Sequence, residues 1–340
     1  MLIQKTVQSL VPHIFNIKSE QDFNGLALTL FRLHLEHNPV YSRFVHYLKP
    51  GLKPEEITHY SRIPFLPIDF FKTQKVLLEG FEAQDYFMSS GTTSQGAVQS
   101  RHYIADKGLY EQCFLNAFRL FWGDPQDYVF LALLPNYLEQ PHSSLIAMMR
   151  KLIELSRVQH PESGFYLYDT KELAEKLKGL EAQGTQTMLF GVSFALLDLA
   201  ENFPMPLRHT LVLETGGMKG RRKEMVKEEL HRILRDAFKV PAVHSEYGMC
   251  ELFSQAYSTG KDGRFLCPPW MKIIIRNSQD PLSLEQAGRT GGINVIDLGN
   301  IFSCPFIATQ DLGKYHADGS FEVLGRFDNS DIRGCNLMVE

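Results

Sequence analysis

The chain has 340 residues, 44% hydrophobic and 22% charged, enough apolar material for one large or two medium folded domains. Its net charge of −4 and scattered lysines and arginines give no electrostatic footprint for nucleic acid; the densest basic cluster, residues 219–223, runs into acidic residues and reads as a solvated helix face. The apolar runs are too short for a membrane span, the first residues lack the pattern of a signal peptide, and the five cysteines, at 113, 250, 267, 304 and 335, form no Cys-x-x-Cys pair, which argues against a disulfide framework or zinc cage and for reduced thiols in a cytoplasmic protein.

Between residues 20 and 48, Leu26, Leu28, Leu30, Phe31, Leu33, Leu35, Phe44 and Val45 fall mainly at helical spacing, broken at Asn38 and Pro39, so the first part of the chain is expected to be helical. His34 and His37, three apart on that helix, have metal-ligand spacing but no partners, and read as surface residues. Residues 63–72, Ile-Pro-Phe-Leu-Pro-Ile-Asp-Phe-Phe-Lys, set two prolines among large apolar side chains, which suits an extended segment lying across a core surface.

Residues 87–96, Phe-Met-Ser-Ser-Gly-Thr-Thr-Ser-Gln-Gly, are dominated by Ser, Thr and Gly and precede a helix. Glycines let backbone N–H groups converge on an anion and hydroxyls add donors, so the composition suits a phosphate; a plain turn is the other reading. The spacing of Gly91 and Gly96 imitates a P-loop, yet Ala97 and Val98 stand where Lys and Ser or Thr should follow, which excludes that class.

Beyond this loop, apolar runs at 128–134, 187–190, 210–214 and 240–243 predict buried strands, and 108–122, 143–156 and 221–238 predict helices, the last with Met225, Leu230, Ile233, Leu234 and Phe238 on one stripe. Such alternation means an α/β fold with a mostly parallel sheet. His142, at the start of the 143–156 helix, is placed either to face a substrate carboxylate or merely to neighbour a cap. Residues 191–195, Gly-Val-Ser-Phe-Ala, narrowly miss a nucleophile elbow. A hydrolase built on Ser193, Asp297 and His316 would keep the Ser, Asp, His order but lacks the second glycine.

Four later segments carry chemistry. Glu214-Thr-Gly-Gly-Met218 follows a strand, where paired glycines let a flat ring or a phosphate approach the backbone. Ser245-Glu-Tyr-Gly-Met-Cys-Glu251 offers an aromatic ring and carboxylates, Thr309-Gln-Asp-Leu-Gly313 a hydroxyl and an acid, and Gly325-Arg-Phe-Asp328 a guanidinium. After Arg276 the pattern turns to short glycine-punctuated strands, at 293–297 and 321–324, which predict a small β subdomain.

In that order, across residues 85–335, the segments resemble the adenylate-forming superfamily of acyl-CoA synthetases, phenylacetate-CoA ligase-like enzymes and luciferase relatives. More narrowly, the 63–72 segment ahead of Ser-Ser-Gly-Thr-Thr-Ser, the Gly-Gly-Met-Lys-Gly run at 216–220 and Arg-Gly-Cys-Asn-Leu-Met at 333–338 resemble the acyl-protein synthetases of bacterial luminescence operons, the LuxE-like family. The resemblance implies the large N-terminal domain of an adenylate-forming enzyme, with mostly parallel sheets flanked by helices and a small C-terminal β subdomain, and without the C-terminal lid domain. Its divisions would be a helical region at 1–84, an α/β adenylation core at 85–300, and a β subdomain with a truncated hinge tail at 301–340.

The resemblance also implies roles. Ser89, Ser90, Gly91, Thr92, Thr93 and Ser94 would form the ATP phosphate loop, Gly216, Gly217 and Met218 the shelf beside adenine, and Tyr247 the border of the nucleotide. Glu251 would hold Mg2+ and act with His142 in catalysis, Asp311 would bind ribose hydroxyls, and Arg326 would contact ribose or the α-phosphate. Cys335 would accept the acyl group as a thioester, its thiol made reactive by Arg333. A fatty or other carboxylic acid is then the implied substrate, and an acyl reductase or acyltransferase the implied partner. The sequence departs from the superfamily in three ways: no lysine follows the phosphate loop, leaving amides, hydroxyls or Arg101 for the terminal phosphates; Cys250 replaces the usual threonine; and the C-terminal lysine that contacts the acyl-adenylate has no counterpart. An acyl-CoA or carrier-protein ligase, and a degenerate acyl- or partner-binding subunit, are the alternatives.

Overall fold

The computed structural model describes residues 2–89, 98–135, 141–167, 169–216, 225–260 and 262–327. Two compact units emerge, one formed by residues 1–82 with 269–340 and the other by residues 83–268.

The first unit opens with α1 (Leu2–Ile14), α2 (Glu20–His37) and α3 (Pro39–Leu48). The break between α2 and α3 falls at the expected Asn-Pro step. Pro39, which has no N–H to lose, occupies the first turn of α3, and the Asn38 side chain caps that helix by accepting from Tyr41 N at 3.2 Å. Asn38 is itself fully buried and donates to Ser303 O and to His34 Nδ1. His34 is therefore no surface residue. Its ring is fully buried, and since a carbonyl only accepts, Nε2 carries the proton that meets Ile301 O at 3.0 Å. Burial holds its pKa down at about 3, so the ring is neutral. Spacing alone did not reveal which helix face was covered.

The proline-rich segment yields β1 (Leu66–Pro67) and then a single helical turn, α4 (Phe70–Thr73), where Asp69 and Lys72 pair at 2.6 Å. Only its first half is extended.

The second unit begins with an antiparallel hairpin, β2 (Asp85–Met88) and β3 (Arg101–Ile104). Then come α5 (Lys107–Trp122), β4 (Val129–Leu133), α6 (Ser144–Ser156), β5 (Gly164–Tyr166), α7 (Thr170–Gln183), β6 (Thr187–Gly191), α8 (Ser193–Asn202), β7 (Thr210–Glu214), α9 (Lys227–Phe238), β8 (His244–Tyr247), β9 (Ala256–Ser258) and β10 (Phe265–Leu266). Strands β5, β4, β6, β7 and β8 lie side by side in parallel, with β9 and β10 added antiparallel. Every residue of β4 and β6 is buried, as expected of strands covered on both faces. The strand expected at 240–243 forms instead at His244–Tyr247. Lys239 ends α9 in the left-handed region at φ 54°, and Pro241 offers no ladder donor, so residues 240–243 make the connection.

The first unit resumes with β11 (Met271–Arg276), β12 (Thr290–Asp297), β13 (Phe306–Tyr315) and β14 (Phe321–Arg326), an antiparallel sheet that β1 extends in parallel against β13. The expected 293–297 and 321–324 strands lie within β12 and β14. Phe306 meets Phe31 and Tyr41 edge-on or tilted at 6.5 and 6.1 Å, seating α2 and α3 on this sheet. Among the described residues no helix is long and apolar enough to cross a membrane.

Candidate functional site

In a parallel α/β sheet the loops beyond the carboxyl ends of the strands collect ligands. Here those ends are polar. Glu214, the last residue of β7 and buried, accepts from Ser193 Oγ at 3.0 Å, from Ser245 Oγ at 2.6 Å and from Gly216 N at 2.9 Å, with His231 Nε2 at 3.5 Å. Burial alone would raise its pKa, but the hydrogen bonds of His231 and Ser245 and the charge of Lys227 outweigh that and hold the carboxyl below its usual range. It stays ionised. Gly216, at φ 35°, sits in the left-handed region that favours glycine.

Glu246, in β8, is buried and accepts from Thr215 Oγ1. Its environment is different. Burial lifts its pKa to about 7, against the Thr215 bond and with help from the charge of Glu214. Tyr247 and Gly248 follow; a Cβ on Gly248 would fall 2.3 Å from Glu246 Oε1 and 3.3 Å from Gln255 Cγ. A side chain here would therefore displace the Glu246 carboxyl. Glu251 is 4% exposed, and Cys250 before it is also buried, its thiol pushed well above the usual range by burial and by Glu251. His102, buried in β3, donates from Nδ1 to Cys250 O at 2.8 Å and so fixes the backbone just before Glu251. Gln255 Oε1 is buried without a hydrogen-bond partner among the described residues. An orphaned acceptor beside the Tyr-Gly turn fits a ligand that brings a donor, such as the amino group of a purine.

The root of the Ser/Thr/Gly loop is held by the β2–β3 hairpin. Ser89 accepts at Oγ from Ser100 N, 3.1 Å, and donates from N to Ser100 O, 3.2 Å. Met88 N donates to His142 O at 2.8 Å, which brings His142 to the same place. The His142 ring stacks on Tyr86 at 4.0 Å with planes 17° apart, and its Nδ1 lies 3.1 Å from Tyr86 O and 3.4 Å from Asp85 Oδ1. This places the Nδ1 proton and leaves Nε2 for another group. The Arg101 guanidinium lies 5.8 Å from the Tyr86 ring on the same hairpin.

In the other unit Asp311 and Arg326 are cross-strand partners in the β13–β14 register, with Nε 3.3 Å from Oδ1. Asp311 is nearly buried, and its backbone N–H donates to Thr309 Oγ1 at 3.1 Å, whereas the Arg326 side chain is 81% exposed. An exposed guanidinium on a buried carboxylate is a pair with one face open.

Ser90, Gly91, Thr92, Thr93, Ser94, Gly217, Met218 and Cys335 lie outside the described residues. The hydrolase arrangement finds no support. Ser193 donates to Glu214, His316 Nε2 meets Glu322 Oε1 at 2.5 Å, and Asp297 caps Gly299 N at 3.1 Å, so each is engaged locally. Of the residues gathered here, His102, His231 and Gln255 carry no signal in the sequence, and Glu246 is visible there only as one of two carboxylates in the 245–251 segment. The alternation of β8 held the clue for Glu246, a glutamate among strand residues that a buried strand should not carry without a partner.

No protein-family model matches the chain, and no curated protein matches its sequence. Solved structures do match its fold. ATP-bound MatB from Rhodopseudomonas palustris is similar with a TM-score of 0.54 at 18% identity, over 71% of this chain and 47% of that one. The chain thus spans about half the length of MatB. A 2-hydroxyisobutyryl-CoA ligase is similar in two states: the postadenylation state with 2-HIB-AMP (TM-score 0.65, 14% identity, 91% of this chain and 68% of that one) and the thioesterification state with 2-HIB-AMP and CoA (0.65, 13%, 94% and 71%). The chain shares the fold of these structures, a mixed α/β architecture with a large sheet flanked by helices.

Proposed function

We propose that the chain activates a carboxylic acid with ATP and Mg2+ and transfers the resulting acyl group to its own Cys335. The observation that carries the first step is the set of polar turns at the carboxyl ends of β6, β7 and β8, with a left-handed glycine, a buried glutamate and an orphaned amide acceptor, on the fold of ATP-using ligases. In this reading Ser89 to Ser94 cradle phosphates, Gly216 to Met218 and Tyr247 border the base, and Asp311 and Arg326 take the ribose and α-phosphate. His142, its ring stacked on Tyr86 and its Nδ1 held by Tyr86 O, lies beside the substrate carboxylate.

Mg2+ fits Glu251. Among the described residues no group of three His, Cys, Asp or Glu is set to hold a metal, but Mg2+ commonly needs only one or two carboxylates besides the phosphates of its nucleotide. Bound there, it would neutralise charge on the leaving pyrophosphate.

In the first half-reaction the substrate carboxylate attacks the α-phosphorus of ATP and pyrophosphate leaves, giving the acyl-adenylate. The Cys335 thiolate then attacks the acyl carbon, a C–S bond forms as the C–O bond to AMP breaks, and AMP leaves with the electron pair. The thioester would be delivered to an acyl reductase or acyltransferase, and a fatty acid is the substrate favoured by the LuxE-like resemblance. The similarity to a ligase captured with CoA supports a second reading, in which a diffusible thiol takes the acyl group.

The deciding experiment is intact-protein mass after incubation with ATP, Mg2+ and a mixture of fatty acids, for wild type and Cys335→Ser. An ATP-dependent adduct present in wild type and lost in the variant is expected. Pyrophosphate release without an adduct would move the acceptor to CoA or a carrier, and no release with any acid would leave only an acyl- or partner-binding role.

A further inference from the structure

Two buried carboxylates grip one connection from opposite faces of the sheet. Side chains alternate along a strand, so Glu214 and Glu246 diverge. Glu214, in register with Ser245, faces α8 and α9, where Ser193 and His231 meet it. Glu246, in register with Tyr257, takes the side of α5, whose Trp122 packs on His244 of the same β8 face at 4.9 Å. Between them lies the start of the connection after β7, residues 215 and 216. Its Gly216 N donates to Glu214 and its Thr215 hydroxyl to Glu246. The other oxygen of Glu246 fills the place a Cβ would need on Gly248.

We propose that Glu246 is a positioning residue that fastens the backbone at Thr215–Gly216 to that at Tyr247–Gly248, with Glu214 as its counterpart on the other face. Its bearing on catalysis rests on the reading above, in which both segments border the nucleotide. The clamp itself rests only on the hydrogen bonds and the glycine contact.

The surroundings give the clamp a sign. Tyr110 from α5 and Tyr257 from β9 lie on the side of Glu246, the charge of Glu214 acts on it from the other face, and the cationic groups of α9, His231 and Lys227, act on Glu214. Glu214 keeps its charge and Glu246 keeps its proton. Once pH passes about 7, Glu246 ionises beside a carboxylate that is already charged, and the two repel.

The test compares wild type with Glu246→Gln, Glu246→Ala and Thr215→Val. In ATP-dependent pyrophosphate release, the wild-type KM for ATP should rise severalfold from about pH 6 to about pH 8.5, with kcat changing less. Glu246→Gln should lose that dependence, and Glu246→Ala should raise KM about tenfold at every pH, a loss that Gln largely restores. In the protein without nucleotide, Thr215→Val should speed amide hydrogen exchange over residues 210–216 several times. A wild-type pH profile in Glu246→Gln, or wild-type KM in Thr215→Val, would overturn the positioning role. If wild type releases no pyrophosphate with any acid, the adenylation reading falls, and the exchange rates alone decide: faster exchange in Thr215→Val supports the clamp, unchanged exchange overturns it.

Discussion

The two units bury polar groups for different ends. In residues 1–82 and 269–327 several buried side chains end on backbone carbonyls: His34 on Ile301 O, Asn38 on Ser303 O and Thr309 on Ile293 O at 2.9 Å. These bonds seal carbonyls that would otherwise lie buried and unpaired. Residues 83–268 bury such bonds too, His102 on Cys250 O among them, and add two buried glutamates, at adjacent strand ends, that collect hydroxyls and the Gly216 N–H. Burial alone does not separate the two units; the pair of shifted glutamate carboxyls at adjacent strand ends does, and shifted carboxyls of that kind cluster at functional sites.

The difference can be broken most forcefully at Asn38. Asn38→Leu loses a helix cap and leaves Ser303 O without its donor, a cost of about 3 kcal/mol from the two effects together. Urea unfolding should show that loss, while the KM for ATP of the folded fraction stays as in wild type. Glu251→Gln should do the reverse. It should lower Mg2+-dependent pyrophosphate release about a hundredfold, near 2.7 kcal/mol, with a smaller change in unfolding midpoint. Equal activity in the two variants would erase the distinction between the units.

Much of this contrast is written in the residues themselves, and some is not. The apolar runs of β4, β6 and β7 are visible because a strand covered on both faces must be apolar throughout. Asn38-Pro39 declares its own helix boundary. What stays hidden depends on distant partners. His34 looks like an exposed helix residue until Ile301, 267 positions away, is brought against it, and His102 gains meaning only when Cys250, 148 positions away, presents its carbonyl. Gly-Gly and Tyr-Gly-x-x-Glu could be read as ligand turns from spacing, but the glutamates behind them, Glu214 and Glu246, are defined by the pairing of β7 with β8 and by the helices on either face. Linear order carries the chemistry of turns; it does not carry which face of a strand is wet.

The contrast extends to pH, with opposite signs. His34 is neutral when folded, with a pKa near 3 against the usual 6.5, so the unfolded chain binds more protons in that window. Its stability contribution is present above about 6.5 and is lost as pH falls toward 3. His102, at about 4, adds to the same trend. Glu246 is raised from 4.5 to about 7, so the folded state holds the extra proton, and its contribution is present below 4.5 and lost as pH rises through 7. Glu246→Gln should therefore remove a decline of order 2 kcal/mol between about pH 4.5 and 7. His34→Gln should flatten the rise at lower pH, leaving the share of His102. Chemical denaturation across a pH series checks both, and identical curves for all three proteins would mean that neither group shifts on folding.

The smallest effect tests the Asp311–Arg326 pair of the first unit. Arg326 is 81% exposed on the side-chain scale, so its pair with Asp311 is screened by water and its removal should alter stability by no more than about 0.5 kcal/mol. Asp311 is nearly buried and keeps the Thr309 hydroxyl against its N–H in either case. If the pair exists to hold a nucleotide, Arg326→Ala should still weaken ATP binding about fivefold by calorimetry, close to 1 kcal/mol, because a guanidinium bonded to phosphate or ribose acts at shorter range and with less water than one left in solvent. Unchanged affinity would return Arg326 to the surface and confine the site to the carboxylate-lined turns of the other unit.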